Sequence, residues 1–148
     1  MESFEFTKLA GPPGSPLVFP GHEQCFICGQ GHESMGVRWF TSERGVYGLT
    51  SLEASHMGPP GLVHGGALAA MLDEAMVLAL ALAGQMGVSA NLNLDYRKPS
   101  FLGSELRIEG WLDHVEGRKI YTRGLVQFDD IITVEATSLY ITPREGFF

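Results

Sequence analysis

The chain has 148 residues, the length of one domain and enough to bury a core without staples. Hydrophobic residues make up 45% and charged residues 18%, which excludes a disordered chain and points to a large buried or self-associating surface. A net charge of −7 excludes nucleic acid as the main partner, since phosphate recognition needs a basic footprint; only residues 97–123, with six Lys/Arg against four Asp/Glu, could receive a phosphorylated small molecule.

The opening MESFEF lacks the basic and apolar regions of a secretory leader, so a cytoplasmic location is expected. Residues 1–34 read as an extended N-terminal arm ahead of a single domain at 35–148. The stretch AGPPGSPLVFPG is too dense in Gly and Pro for a packed helix or a central strand. Cys25 and Cys28 form one CxxC, and with His22 and His32 they supply the ligand types and number of a zinc site. One such pair in a Gly/Pro-rich arm is weak grounds, and no metal is expected.

Two short strands follow, Gly36–Phe40 and Val46–Glu53, with Glu43-Arg44-Gly45 as their turn. Gly58-Pro59-Pro60-Gly61 breaks the pattern. His64-Gly65-Gly66 then leads into ALAAMLDEAMVLALALA, where 15 of 17 residues are apolar and cover every face. A helix apolar all round must be wrapped by the rest of the protein, and Asp73 and Glu74 at its middle argue against a membrane span. After Gly84 and Gly87 the period becomes two: Ser89, Asn91, Asn93, Asp95 and Arg97 alternate with Ala90, Leu92, Leu94 and Tyr96 until Pro99. Runs at Ser104–Val115, Lys119–Phe128 and Ile131–Thr142 are joined by connections short enough for antiparallel hairpins. The predicted order is β-β-α-β-β-β-β, an α+β fold in which about six antiparallel strands curl round one long apolar helix.

That helix carries the chemistry. An unpartnered buried carboxylate costs several kcal/mol. Asp73 and Glu74 lie about 100° apart on the wheel, so one of them reaches an edge or a second subunit. Glu74 reads as a surface or interface charge. At the helix start, free N–H groups and the dipole favour an anion. An acyl carbonyl resting on the Gly65 N–H would be stabilised by about 3–4 kcal/mol as it becomes an oxyanion. Asp73 follows His64 by nine residues, about 13 Å along the axis. It does not easily meet that carbonyl in one chain, whereas a two-fold partner with an antiparallel helix brings the two together. No G-x-S-x-G elbow is present to support a serine hydrolase.

The run GPPGLVHGGALAAMLDEAM resembles the signature of hotdog-fold acyl-CoA thioesterases of the phenylacetate-degradation and THEM-like type. The likeness extends through VSANLNLDYRKPSFLGSELRIEG and back to CFICGQGHESMGVRWF, covering about 22–142, and it is most specific over 58–99. The resemblance implies a hotdog fold, homodimers that pair into tetramers, and hydrolysis of acyl-CoA with no cofactor beyond the coenzyme A of the substrate. It further implies a catalytic set of Asp73 as base or nucleophile, Gly65 as oxyanion donor, His64 orienting the carbonyl, and Ser89 placing the water. Gly58, Gly66, Asn91, Arg97 and Lys98 become the substrate-contacting residues, the last two near the phosphates. Many relatives have Asn where this chain has Gly58. Two other readings stand beside this one: a module that binds acyl-CoA without turnover, and a hydratase of enoyl or hydroxyacyl thioesters.

Overall fold

The computed structural model describes residues 11–146. The MESFEF opening, with the reading of it as no leader, lies outside them. In chain order the elements are β1 (Pro16–Leu17), β2 (Arg38–Thr41), β3 (Gly45–Ser51), a 3₁₀ turn (Ala54–His56), helix α1 (Gly65–Leu82), β4 (Val88–Tyr96), β5 (Glu105–Glu116), β6 (Lys119–Phe128) and β7 (Ile131–Ile141). The strands form one antiparallel sheet in the order β1-β2-β3-β5-β6-β7-β4. This is one strand more than the sequence predicts. The extra one, β1, pairs Pro16 with Phe40 and Leu17 with Trp39, so the arm enters the sheet at its edge, where a proline is tolerated.

Period-two alternation decides which face of each strand is buried. Leu106 and Ile108 of β5, Ile120 and Val126 of β6, and Val134 and Tyr140 of β7 all point inward and are fully buried. Against them lies α1, which packs mainly on β5, β6 and β3. The helix is long and apolar enough to cross a bilayer by length and composition; here half of it is buried against the sheet. Its close approach depends on glycine. A Cβ on Gly110 would stand 2.5 Å from the Ala75 carbonyl, and Gly124, paired with Gly110 across β5 and β6, leaves similar room for Leu72 and Met76.

Two local features place the site. A bulge at Ala90 breaks the register of β4 on β7, so Ser89 pairs with Tyr140 and Asn91 with Leu139. Ser89 therefore faces the helix while Asn91 faces away, and the simple alternation read from the sequence shifts by one residue there. The second feature is that β4 is the last strand of the sheet, exposed along most of its nine residues, with one side of its backbone unpaired among the described residues.

Candidate active site

Helix α1 begins on a side-chain cap. His64 has extended backbone, and its Nδ1 accepts the Gly66 N–H at 2.8 Å. An accepting Nδ1 puts the ring proton on Nε2, which faces solvent as a donor. The Gly65 N–H, first in the helix, has no acceptor in a preceding turn. Tyr96 at the end of β4 donates its hydroxyl to the Gly65 carbonyl at 2.7 Å and so holds this turn against the sheet. Gly58 packs directly under His64, where a Cβ would lie 3.0 Å from His64 Cα; a side chain there would press on the cap. The helix start thus assembles His64, Gly65, Gly66 and Gly58 around two outward-pointing donors.

Further along the helix, Asp73 is held from the sheet. Its Oδ1 accepts the Ser89 hydroxyl at 3.0 Å and the Tyr140 hydroxyl at 2.8 Å, while Oδ2 takes no hydrogen bond among the described residues. Burial, and then the Asp73 charge, push the Tyr140 phenol well above its ordinary range, so it stays protonated and donating at neutral pH. Tyr140 is absent from the set read from the sequence. Its signal is faint: a polar group on the inward face of β7, two residues after the equally buried Ser138.

The other expected residues are dispersed. Asn91 lies on the outer face of the sheet, where its side chain accepts from Asn93; the Ala90 bulge turns it away from Asp73. Arg97 is engaged by Glu135 at 3.0 Å and Asp95 at 3.5 Å. Lys98 is exposed, and its N–H bonds the Thr133 carbonyl. Met71 and Met76 are core residues, whereas Met86 is 65% exposed.

Glu74 is not a surface charge. It turns to the opposite flank of α1 and meets the arm, with Cys28 Sγ at 3.4 Å and Cys25 Sγ at 3.6 Å from Oε1. Burial pushes its carboxyl above the ordinary range, and the thiols and His22 offset that only partly. The Cys28 thiol is raised too, by burial first and then by the Glu74 charge. Neither the sequence spacing nor the helix wheel reveals this contact, because it joins residues 46 to 49 apart.

A model of the thioesterase superfamily matches residues 60–135, which include the helix start, Asp73, Ser89 and most of the sheet. Among curated proteins, the acyl-coenzyme A thioesterase THEM4 of Xenopus laevis is 38% identical over 87 residues, covering 57% of this chain and 39% of that protein. The chain therefore spans well under two thirds of the curated relatives it matches. A solved thioesterase superfamily protein is 34% identical with a TM-score of 0.72, over 74% of this chain and 55% of that one. A protein from Bacillus halodurans, solved with CoA, shares the fold at a TM-score of 0.64 and 24% identity, over 76% of this chain and 78% of its own.

Proposed function

The chain belongs to the thioesterase superfamily, and from that premise we propose that it hydrolyses acyl-coenzyme A thioesters to free acid and coenzyme A, in a site shared by two copies of the chain. The observation that carries this reading is the asymmetry of Asp73: Oδ1 is pinned by Tyr140 and Ser89 while Oδ2 takes no hydrogen bond among the described residues. A carboxylate fixed through one oxygen keeps its orientation and presents the other to a reacting group.

In the proposed reaction the thioester carbonyl rests on the Gly65 N–H and the His64 Nε2–H of one copy. Asp73 Oδ2 of the other copy takes a proton from water as it attacks, or attacks the carbonyl itself to give, once the thiolate leaves, a mixed anhydride that water then hydrolyses to the free acid and the Asp73 carboxylate. The oxygen gains charge as the tetrahedral intermediate forms, and the two donors and the helix dipole stabilise it by about 3–4 kcal/mol per donor. Collapse expels the coenzyme A thiolate, which needs no strong acid. The chemistry draws on these side chains and water, with coenzyme A entering as part of the substrate. Arg97 is already ion-paired, whereas Lys98 has no ion pair among the described residues and is the cation of that pair offered to the phosphates.

The separation of about 13 Å between His64 and Asp73 along one helix supports a two-fold homodimer. So does the unpaired backbone of β4, with Val88, Tyr96 and Phe101 exposed along or near it. Such dimers are proposed to pair into tetramers. The free thiols Cys25 and Cys28 support a reducing compartment, and we place the protein in the cytoplasm.

The test is thiol release from short, medium, long and aromatic acyl-CoAs by wild type and Asp73→Asn. Loss of the base or nucleophile lowers the rate about 10²–10⁴-fold in a folded variant. A protein that binds the panel with no thiol release is an acyl-CoA-binding module, the reading that Gly58 in place of Asn favours. Loss of enoyl absorbance without free thiol identifies a hydratase.

A further inference from the structure

The arm and the helix bring together a second group of side chains that the proposed hydrolysis does not use. Potential ligand atoms of His22, Cys25, Cys28 and Glu74, one from each, all lie within 4.8 Å of one another, and each residue is half-buried. We propose that these four residues form a structural zinc-type site that fastens the N-terminal arm to the helix beside Asp73.

The spacing fits such an ion. Tetrahedral zinc bonds of about 2.0–2.3 Å give donor-to-donor edges of about 3.3–3.8 Å. Three of the six edges are 3.4 Å from Cys28 Sγ to Glu74 Oε1, 3.6 Å from Cys25 Sγ to the same oxygen, and 3.7 Å from Cys28 Sγ to His22 Nδ1, and every edge lies within 4.8 Å. Two sulfurs, one imidazole and one carboxylate are a donor set suited to zinc and poorly suited to magnesium or calcium.

The Cys25 sulfur and its loop are also held by the backbone. The Ile27 N–H points at Cys25 Sγ at 3.4 Å, and the Gly29 N–H bonds the Cys25 carbonyl at 2.9 Å, closing a tight loop round the pair. Residue 29 has to be glycine in this loop, since a Cβ would stand 2.5 Å from the Cys25 carbonyl oxygen. Backbone bonds from Cys25 to His22 and from Gln30 to Glu23 fix the neighbouring turns. The fourth donor comes from α1, and His32, the fourth ligand the sequence would suggest, is not part of the group.

The chemistry of Glu74 supplies the reason for a cation. A carboxylate in the middle of an apolar helix is met here by two thiols, which are weak donors at these distances. A divalent ion would displace both thiol protons to solvent and leave two thiolates, one carboxylate and one neutral imidazole around a double positive charge. Four protein donors close the coordination sphere, which makes the site structural and leaves no open position for water.

The test uses the full chain. Purified without chelator, it is expected to contain about one zinc per chain by elemental analysis, with both thiols protected from a thiol reagent. Cobalt substitution is expected to give the ligand-field bands of a tetrahedral site and a thiolate-to-cobalt charge-transfer band. Cys28→Ser loses the metal, and Glu74→Gln shifts the cobalt bands while the protein stays folded. Chelation lowers the melting temperature of wild type and leaves that of Cys28→Ser unchanged. The proposal is overturned if chelator-treated wild type takes up neither zinc nor cobalt on titration, if Cys28→Ser binds as well as wild type, if Glu74→Gln leaves the cobalt spectrum unchanged, or if mass spectrometry finds Cys25 and Cys28 joined as a disulfide. None of these readouts depends on thioester hydrolysis, so the metal site and the proposed activity fail or stand separately.

Discussion

The Tyr140 hydroxyl sits 2.8 Å from Oδ1 of Asp73 and 3.0 Å from the carbonyl oxygen of the same residue, so one proton from the last strand grips both the side chain and the backbone of the helix. A hydrogen bond to a charged group is worth about 1.5–3 kcal/mol. Tyr140→Phe is therefore expected to lower kcat about 10–100-fold with KM little changed, because Tyr140 positions Asp73 and does not touch substrate. Steady-state kinetics on a folded variant checks this. An unchanged kcat, or a loss confined to KM, removes Tyr140 from the machinery.

Gly110 offers a test of the packing. The Ala75 carbonyl lies where a Cβ on residue 110 would go, and this contact and the one to the Met76 nitrogen are with backbone, which cannot swing away like a side chain. Gly110→Ala is expected to destabilise the protein by about 1–3 kcal/mol, read as a drop in melting temperature. The same change at Gly31, where nothing lies within 4 Å, serves as the control and leaves stability nearly unchanged.

On the outer face, Glu109 sits between Arg107 and Arg44, each 2.8 Å away, and these arginines stack over Tyr47 and Trp111. Burial alone would raise the Glu109 carboxyl, but the two guanidiniums outweigh it and hold the group below the ordinary carboxylate range. A carboxyl depressed in the folded state contributes stability that is present above its unfolded pKa and is lost as pH falls through its folded value. Because Arg44 is half-exposed, the contribution is discounted to about 1 kcal/mol. Glu109→Gln is thus expected to melt about 2–4 °C below wild type at pH 7, with the gap closing as pH falls below about 4. Melting curves from pH 7 to 3 decide it; a gap constant across that range would refute the ion-pair account.

Much of this was legible in the sequence because it depends on local pattern. The apolar run after His64-Gly65-Gly66 could only be a central helix, and its nine-residue spacing to Asp73 is a matter of counting. The strands between 104 and 142 show as runs joined by connections short enough for hairpins. What escaped depends on pairing between distant residues. Two residues, Pro16 and Leu17, are too few to carry a period. The bulge at Ala90 is set by how β4 meets β7, so no local signal separates Ser89 from Asn91 in facing. Tyr140 and the arm cysteines reach the helix only through the sheet order, which the sequence leaves open.

Asp73 and Glu74 are neighbours gripped from opposite flanks, one by the edge of the sheet and the other by the arm. Helix α1 rests over Gly110 and Gly124, and a roll about its own axis would re-aim both carboxylates. Two grips about 100° apart brace the helix against that roll from two sides, and with it hold the aim of Asp73 Oδ2. Loosening the arm at Cys25 and Cys28 would therefore be felt as a change of azimuth at the reacting oxygen, although no arm residue among those described hydrogen-bonds to Asp73.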